Sequence, residues 1–327
     1  MEQILLTGAR GFIGMNLARS VLENGFQLVL FNRGKMDEAS RAYLEEAGTF
    51  SEETGDICDL QRLKDVMQKY QISQVIHGAA LTPRDSVEKE WMSKTLDVNC
   101  VGAVQVLQAA RDAGAKRFIY AGSVAVYGDA CQESALIRED ECPYRIHTTY
   151  EISKFTSEHL IKRFSELSGM ETVNLRIADA FGPWERPTNS RTMMSVPFQV
   201  LLKAMKGERA VIPREGRMGW VYSKDIGNQA AAMLKKPPCR QAYHGSSIYQ
   251  WSILDFGKEL KKYFPKFEIE LDRIKKNCNI FYFGERDNGM FSMDAVEEDY
   301  GFIPEYDLGR AVKDYVEWAL THKELLI

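Results

Sequence analysis

The chain has 327 residues, of which 45% are hydrophobic and 27% charged, with 42 basic and 46 acidic side chains. This composition is that of a globular protein with a sizeable core, and it excludes a disordered, collagen-like or coiled-coil chain. The formal net charge of −4 excludes a broadly basic, nucleic-acid-binding surface, and no apolar run is long enough for a membrane-spanning helix.

The amino terminus has no basic region followed by an apolar stretch, so we predict no secretory signal. None of the six cysteines forms a C-x-x-C pair, and the five histidines are scattered. We therefore expect a cytoplasmic protein with reduced thiols and no metal site.

The first half of the chain alternates short apolar runs with longer amphipathic stretches. These patterns predict strands at residues 4–6, 28–31, 75–77, 118–121 and 173–177, and helices at residues 14–24, 59–70, 98–113 and 150–168. Because strands and helices alternate, we expect parallel βαβ units and a doubly wound, Rossmann-type α/β sheet.

After residue 178 the pattern loosens, because prolines and glycines interrupt it. A strand at residues 220–222 and a helix at residues 225–234 are the clearest later elements. We expect a main domain over residues 1–178, rejoined by residues 218–246. Residues 179–217 and 247–327 would form a smaller, partly discontinuous α/β region that binds substrate.

A glycine-rich segment lies between the first predicted strand and the first helix. Its three glycines allow a tight turn and a close approach of the backbone to a pyrophosphate, which then faces the positive end of the helix dipole. The strand before it and the helix after it are the context that this motif needs, so residues 1–178 are predicted to bind a dinucleotide. The residues of this turn that we expect to contact the cofactor are Gly8, Arg10, Gly11, Phe12, Ile13 and Gly14.

The end of the second strand indicates which nicotinamide cofactor is bound. NAD enzymes usually have a carboxylate here for the ribose 2′-hydroxyl, whereas this chain has Asn32 followed by Arg33. Arg33 can pair with a 2′-phosphate, and Arg10 adds a further positive charge. We therefore expect NADP rather than NAD; the alternative is a solvated basic turn that accepts either cofactor.

Asp56 and Ile57 follow the stretch that leads out of the next strand of the sheet. The Asp56 carboxylate is a candidate acceptor for the adenine amino group. The alternative role is a helix cap, for which Asp59 is better suited.

Tyr150 and Lys154 are four residues apart and share one face of a predicted helix. A nearby ammonium lowers the pKa of a tyrosine and makes it a usable acid or base near neutral pH. Ser123 follows the strand at residues 118–121, at the edge where an open parallel sheet places its site. We expect Ser123 and Tyr150 to share a substrate oxygen, although each residue alone is also compatible with a loop serine or a chance spacing.

With these features, the whole chain resembles the extended short-chain dehydrogenase/reductases, the group of sugar epimerases, dehydratases and related reductases. The motifs that carry the resemblance are residues 7–14, 56–57, 77–80, Asn99, Ser123, 127–128, Tyr150 with Lys154, 175–176, 181–183, 220–226 and 300–304. The resemblance implies that Tyr150 transfers the hydroxyl proton while a hydride passes to or from the nicotinamide. Lys154 would hold the cofactor ribose and lower the pKa of Tyr150, and Ser123 would orient the substrate oxygen.

The resemblance also implies roles outside this trio. Ala79 and Ala80 would line the cofactor, and Asn99 would support the local backbone, although asparagine is also a common helix N-cap. Relatives dimerise through a four-helix bundle, which here would use residues 99–113 and 150–168, so a homodimer is expected.

Several positions depart from the family pattern. Val124 and Ala125 follow Ser123 where sugar dehydratases place two acidic residues, which disfavours 4,6-dehydration. Asp179 and Met218 stand where nucleotide-sugar epimerases often have asparagine and arginine to hold a diphosphate. The arginines that could compensate are Arg214, Arg217 and Arg286.

Arginines on loops beside the expected cleft favour an anionic substrate, with solvated surface arginines as the alternative. They follow the strand at residues 75–77 and the glycine at position 182. The residues that we expect to bind substrate are Thr82, Arg84, Ser123, Asp179, Arg186 and Arg191.

The sequence thus predicts an NAD(P)-dependent oxidoreductase or epimerase that transfers a hydride at a secondary alcohol or ketone of a sugar-like substrate, with anionic sugar derivatives favoured. The alternatives are a nucleotide-diphosphate-sugar epimerase, a one-way ketone reductase, and a catalytically idle dinucleotide-sensing or RNA-associated protein. The presence of Ser123, Tyr150 and Lys154 argues against the idle protein. Neither nucleic acid nor a membrane is expected as a partner.

Overall fold

The computed structural model describes residues 2–83, 85–188, 191 and 193–326, without the side chains of residues 85 and 86. The strands within these residues are β1 (Gln3–Thr7), β2 (Gln27–Asn32), β3 (Phe50–Thr54), β4 (Gln74–His77), β5 (Arg117–Ser123), β6 (Leu136–Ile137), β7 (Glu171–Ile177), β8 (Ala180–Phe181), β9 (Ala210–Ile212), β10 (Val221–Tyr222), β11 (Ala242–Gly245), β12 (Ile269–Leu271) and β13 (Met290–Phe291). The α-helices are α1 (Phe12–Glu23), α2 (Glu38–Glu45), α3 (Leu60–Lys69), α4 (Asp85–Leu96), α5 (Ala103–Asp112), α6 (Thr149–Ser168), α7 (Val196–Met205), α8 (Ser223–Lys235), α9 (Ile253–Leu260), α10 (Asp294–Tyr300) and α11 (Leu308–Thr321).

Seven of the described strands form one parallel sheet in the order β11-β7-β5-β4-β1-β2-β3. Helices α3, α5 and α6 pack on one face of the sheet around a core that includes Leu63, Val106 and Ile161. Helices α1 and α8 pack against each other on the opposite face, over a core that includes Leu17 and Ile226. This is the doubly wound Rossmann-type fold that the alternation of strands and helices predicts.

The strand order reverses at β1, which pairs with β2 on one side and with β4 on the other. Leu6 of β1 lies opposite Leu30 and Ile76 in the two ladders. In open α/β sheets the crevice outside the carboxyl ends of the strands at such a point is the usual ligand site. The glycine-rich turn follows β1 and the loop from residue 78 follows β4, so both lie at this crevice.

Eight of the nine elements predicted in the first half are confirmed, with ends shifted by two residues or fewer. Two described helices of this half, α2 and α4, were not predicted. Helix α2 buries only Ser40 and Leu44, which is too few positions for a recognisable helical pattern. Helix α4 continues through a π-helical stretch, Asp97–Gly102, into α5, so the helix predicted at residues 98–113 is the end of a longer helical run.

The later part of the chain forms smaller units around the two-stranded pairs β8–β10 and β9–β12. Strand β11 extends the main sheet beside β7, and β6 pairs with β13. The division into a dinucleotide-binding and a substrate-binding region stays a prediction. All six cysteines are free thiols. Among the described helices, none combines the length and the hydrophobicity needed to cross a membrane.

Candidate active site

The glycine-rich turn brings the start of α1 against the loop that follows β4. Gly8 has φ of +75°, in the left-handed region, and a Cβ atom there would lie 2.6 Å from the amide nitrogen of Ala79. A Cβ at Gly14 would overlap the carbonyl oxygen of Gly8, to which the Gly11 amide donates at 3.0 Å. Ala79 and Ala80 are half-buried in the facing loop. The turn therefore needs glycine at positions 8 and 14 in order to form this narrow cradle.

Asn32 lies at the end of β2 beside a group of basic side chains. Its buried Oδ1 accepts a hydrogen bond from the Arg10 amide at 3.2 Å, and its buried Nδ2 has no partner among the described residues. The Arg10 guanidinium lies against Gly34, where a Cβ would come within 2.9 Å of Nη1, and Arg33 is exposed. A free amide donor and two cations thus lie together where the sequence predicts the adenosine ribose.

Asp56 and Asp59, in the loop before α3, differ in role: Asp59 caps the helix and Asp56 does not. Asp59 caps the helix by accepting a hydrogen bond from the Arg62 amide at 3.0 Å, as its spacing predicts. Asp56 is exposed and accepts from the Cys58 amide at 2.9 Å. Ile57 is buried against Gly102, so it joins this loop to the π-helical stretch.

A neutral histidine forms the floor of the crevice between β1 and β4. His77 Nδ1 is hydrogen-bonded to Thr7 Oγ1 at 2.7 Å, and the amide of Ala79 donates to the same hydroxyl at 3.4 Å. Burial, assisted by the charge of Lys154, lowers the pKa of His77 to about 3. The ring stacks on Tyr120 with 5.9 Å between ring centres. The ring is therefore neutral across the physiological pH range. It helps to position the glycine-rich turn through Thr7 and presents no charge to a bound ligand.

Asn99 connects the loop after β4 to α6. Its Oδ1 accepts from the Leu81 amide at 2.8 Å, and its Nδ2 donates to the Leu81 carbonyl at 3.1 Å and to Ser153 Oγ at 2.9 Å. The Ser157 hydroxyl donates to the Asn99 carbonyl at 2.8 Å. Asn99 lies inside the helical run, so the alternative role as an N-cap is wrong. Its contacts instead match the expected support of the backbone, and π-helical stretches often occur at such functional sites.

The first turn of α6, which carries Tyr150, is held by a capping box. Thr148 Oγ1 accepts from the Glu151 amide, and Glu151 Oε2 accepts from the amides of His147 and Thr148 at 2.7 and 2.9 Å. The amide of Thr149 donates to Glu88 Oε1 on α4. The sequence pattern T-x-x-E at residues 148–151 is a readable signal for this cap, which our sequence analysis missed.

Lys154 is buried, with 3% of its surface exposed, one helical turn after Tyr150. Its Nζ donates to the carbonyl oxygen of Ala121 at 3.0 Å and lies 4.8 Å from the centre of the Tyr120 ring and 5.9 Å from that of Tyr150. Burial lowers the pKa of Lys154 to about 8. The spacing of four residues thus brings the ammonium and Tyr150 together.

Tyr150 lies beside Ser123 at the carboxyl end of β5. Burial raises the pKa of Tyr150, while the neighbouring Ser123 hydroxyl and the charge of Arg191 act in the opposite direction. The expected net lowering of the Tyr150 pKa is therefore wrong for the protein alone, because burial dominates. Ser123 Oγ also accepts from the Ala125 amide at 3.1 Å, which fixes the side chain.

Two of the predicted substrate arginines are not placed beside Tyr150 and Ser123. Arg186 pairs with a residue elsewhere, and Arg84 is not among the described residues. Arg186 Nη2 pairs with Asp37 Oδ2 at 2.7 Å, and Asp37 is the N-cap of α2. Although burial opposes it, Arg186 and the Ser40 amide lower the pKa of Asp37 to about 2. Arg186 therefore lies beside the β2–α2 connection rather than at Ser123. Arg84 lies outside the described residues.

Arg191 is the predicted substrate arginine that the fold brings near the glycine-rich turn. Its guanidinium carbon lies 5.2 Å from the ring centre of Phe12, the first residue of α1, and it pairs with Glu185 at 2.6 Å. Phe12 is buried and Ile13 half-buried at the start of that helix. Thr82 forms an isolated β-bridge with Arg191, so the loop after β4 and the arginine are adjacent.

Asp179 and Met218 lie together, as their predicted shared role requires. Asn288 joins them, because its Nδ2 donates to Asp179 Oδ2 at 3.0 Å and its amide nitrogen lies 3.3 Å from Met218 Sδ. Cys131 Sγ donates to Asn288 Oδ1 at 3.0 Å. Burial raises the pKa of Asp179.

Two of the arginines that could compensate for Asp179 and Met218 are already paired. Arg214 Nε contacts Asp287 at 2.6 Å, and Arg217 contacts Asp255 at 3.0 Å. Arg286 is exposed. The surroundings of Asp179 therefore offer little uncompensated positive charge to a diphosphate.

Residues 4–244 match the NAD dependent epimerase/dehydratase family. The chain belongs to this family. A dTDP-glucose 4,6-dehydratase of Xanthomonas campestris pv. campestris is 23% identical over 99% of this chain and 94% of its own length. The resemblance to extended short-chain dehydrogenase/reductases is thus confirmed, and the protein is an enzyme of the NAD-dependent epimerase/dehydratase type.

Solved structures of epimerases share the fold of this family member. A UDP-glucose 4-epimerase of Thermotoga maritima, solved with UDP-glucose, has a TM-score of 0.80 at 20% identity and covers 98% of this chain and 99% of its own. A UDP-glucuronic acid 4-epimerase of Bacillus cereus, solved with NAD, has a TM-score of 0.79 at 20% identity, with 98% of each chain covered.

The geometry of the crevice in this epimerase/dehydratase family member fits a dinucleotide. Gly8 and Gly14 leave a cradle that side chains would fill, and Asn32 Nδ2 is a buried donor with no partner in the part of the chain that the structure describes. When bound, the nicotinamide supplies the acceptor or donor of the hydride. The chain itself supplies a tyrosine, a serine and a lysine at the carboxyl end of β5.

Proposed function

We propose that the protein transfers a hydride at a secondary alcohol or ketone of a sugar-like substrate, with Ser123, Tyr150 and Lys154 as the catalytic residues. The observation that carries this proposal is the placement of Tyr150 beside Ser123, with the buried ammonium of Lys154 on the adjacent Ala121 carbonyl and 5.9 Å from the centre of the Tyr150 ring. In oxidation Tyr150 takes the proton of the substrate hydroxyl as the hydride leaves the same carbon. In reduction the phenol returns that proton to the carbonyl oxygen.

Each residue of the trio has a separate task. Ser123, held by the Ala125 amide, orients the substrate oxygen toward Tyr150. Lys154 would hold the cofactor ribose, and its positive charge favours the phenolate that takes up the proton in oxidation and that is left behind after reduction. Since burial raises the pKa of Tyr150, the phenol is the resting form, which is the form needed to protonate a ketone.

Dehydration is disfavoured, although the curated relatives include dehydratases. Val124 and Ala125 occupy the two positions after Ser123, and Val124 is buried. Neither side chain can act as an acid or a base, so elimination of water lacks the groups that it needs at these positions.

Free sugar derivatives, and anionic ones above all, are the proposed substrates. A carboxylate at Asp179 and a thioether at Met218 are poor partners for a diphosphate, and Arg214 and Arg217 are paired with Asp287 and Asp255. The second candidate is a nucleotide-sugar epimerase, which is favoured by the likeness to the solved UDP-sugar epimerases.

NADP is the proposed cofactor ahead of NAD. Support comes from the basic turn after β2, where Asn32 replaces the usual carboxylate and Arg10 and Arg33 provide positive charge. A 2′-phosphate would be stabilised by these cations, whereas a carboxylate would repel it.

A homodimer is the proposed assembly. The helical run that ends with α5 and the helix α6 pack against each other and expose Val101, Ile152 and Leu160. Burial of these apolar side chains against a second copy would remove them from water. The molar mass in solution, measured by light scattering, tests this assembly.

Turnover with a substrate panel tests the proposed reaction. The protein is mixed with NADP⁺ or NAD⁺ and with sugar acids, polyols, keto-sugars and nucleotide sugars, and reduced nicotinamide is followed by absorbance while products are separated by chromatography. An oxidoreductase changes the redox state of the cofactor, whereas an epimerase isomerises its substrate without net change. Absence of both activities across the panel would contradict the proposal.

A further inference from the structure

Glu185 is a fully buried carboxylate that holds two other residues in place. Its Oε1 accepts from Arg191 Nη2 at 2.6 Å and from the Ser195 amide at 2.7 Å, and its Oε2 accepts from the Ser195 hydroxyl at 2.6 Å. Ser195 is the N-cap of α7, where its hydroxyl accepts from the Phe198 amide at 3.2 Å. Because a buried carboxylate needs a compensating cation, Glu185 fixes the guanidinium of Arg191 relative to α7.

Arg191 stands close to the proposed reaction centre. The centre of the Phe12 ring is 5.2 Å from its guanidinium carbon, and its backbone bridges to Thr82 in the loop after β4. Its positive charge also acts on the hydroxyl of Tyr150. The guanidinium therefore lies beside the first residue of α1, on a segment that bridges to the loop after β4, and its charge reaches Tyr150.

One nitrogen of the Arg191 guanidinium has no acceptor within residues 2–83, 85–188 and 193–326. The Nε atom of Arg191 is buried and lacks a hydrogen-bond partner among the described residues. An arginine has five N–H donors in a planar fork, and Glu185 accepts from Nη2. Because the Arg191 side chain is 27% exposed, a ligand that brings two oxygen acceptors can reach the remaining donors of the fork.

We propose that Arg191, positioned by Glu185, binds the carboxylate of a polyhydroxy-acid substrate next to Tyr150. This inference rests on the hydride transfer proposed above and assigns the anion contact to one loop arginine. Arg186 is excluded from that role because it pairs with Asp37 beside the β2–α2 connection. The diphosphate of the cofactor has the same acceptor chemistry, but the glycine-rich turn already provides its cradle.

Calorimetry on the cofactor complex tests this assignment. Aldonic acids of four to six carbons and their matching alditols are titrated into the protein saturated with NADP⁺. We expect at least one acid to bind about tenfold or more tightly than its alditol, as a charge-assisted hydrogen bond provides. The double variant E185Q/R191M, which removes both charges of the buried pair together, should lose this difference while its affinity for NADP⁺ changes by less than about threefold.

The control is Arg186→Met, which removes an arginine five positions away and should preserve the preference for the acid. If the double variant does not fold, as judged by circular dichroism, Arg191→Lys keeps the ion pair but removes the fork, and the preference should fall with cofactor affinity retained. Equal binding of acids and alditols by the wild type, or no acid binding, would overturn the assignment. Parallel loss of NADP⁺ affinity would assign Arg191 to the cofactor diphosphate instead.

Tyr150→Phe separates this inference from the proposed reaction. The variant should still prefer the acid over the alditol, because Arg191 and Glu185 are intact. If it also keeps wild-type turnover, the proposed reaction fails while the carboxylate site stands. If Tyr150 is essential but acids have no advantage, the carboxylate site fails while the reaction stands.

Discussion

Asn99 and Ser153 are joined by a hydrogen bond of 2.9 Å between Nδ2 and Oγ, across 54 residues of sequence. The Ser153 hydroxyl in turn donates to the carbonyl of Tyr150 at 2.8 Å, while Asn99 is also bonded to both backbone groups of Leu81. One buried side chain therefore sets the position of the crevice loop relative to the helix turn that carries Tyr150.

Asn99→Leu should loosen both segments. The substitution keeps the approximate volume but leaves the backbone groups of Leu81 without partners, which typically costs about 1–3 kcal/mol. We expect this loss in the free energy of unfolding measured with urea, together with weaker cofactor binding. Asn277→Leu, at an exposed position, should change stability by less than about 0.5 kcal/mol. If Asn99→Leu has wild-type stability and wild-type cofactor affinity, the hydrogen bonds of Asn99 do not hold these two segments in place.

Lys154→Met should stabilise the protein near neutral pH while reducing activity. Burial lowers the pKa of Lys154 to about 8 from 10.5, so below pH 8 the folded state bears the full cost of a buried ammonium. That cost is up to about 3 kcal/mol and decreases as the pH rises from 8 toward 10.5, where the unfolded chain also loses the proton.

Urea unfolding of the wild type and of Lys154→Met between pH 7 and pH 10 checks this relation. The stability advantage of the variant should be largest at pH 7 and shrink above pH 8. A variant that is less stable than the wild type at pH 7, or an advantage that grows with pH, would contradict the buried, charged state of this lysine.

Arg33→Asp should weaken NADPH binding far more than NADH binding. The substitution removes a partner of the 2′-phosphate and adds a repelling charge at an exposed position beside Asn32. Fluorescence titration with both cofactors measures the effect. Lys116→Asp makes the same charge change next to the amino end of β5, whereas the proposed cofactor site lies at the carboxyl ends of the strands. This control should leave the ratio of NADPH affinity to NADH affinity unchanged. Equal effects of Arg33→Asp on both cofactors would identify Arg33 as a solvated turn residue.

Asp179→Asn should raise the affinity for UDP. The wild-type carboxylate repels a diphosphate. Removal of this negative charge beside the diphosphate should raise the affinity for UDP about tenfold. Because burial raises the pKa of Asp179, UDP binding by the wild type should also strengthen as the pH falls and the carboxyl takes up a proton. Calorimetry with UDP, GDP and sugar acids, in the presence of cofactor, gives both quantities. Micromolar binding of a nucleotide by the wild type, without binding of any sugar acid, would favour the nucleotide-sugar epimerase.

The parts of the fold and site that were predictable from the sequence are those governed by local spacing. Gly8 and Gly14 could be recognised because a turn of this shape admits no side chain at either position. Tyr150 and Lys154 could be paired because four residues make one helical turn. The doubly wound sheet followed from the alternation of apolar runs, which needs no knowledge of distant contacts.

The remaining features depend on pairs that are distant in sequence or on burial. Arg186 pairs with Asp37 across 149 positions, and Asn288 reaches Asp179 across 109. Neither partner has a sequence signal of its own. The pKa of Tyr150 is raised because desolvation of this half-buried side chain outweighs the opposing effects of Ser123 and Arg191.

The turnover of Tyr150→Phe tests the central claim most directly. The variant lacks only the hydroxyl that exchanges the proton, so we expect turnover to fall by about 10²–10⁴-fold while cofactor affinity is nearly unchanged. The measurement is the rate of hydride transfer with a saturating substrate from the panel, alongside a cofactor titration of the same preparation. A variant that keeps more than about a third of wild-type turnover would contradict the assignment of Tyr150 as the catalytic acid and base.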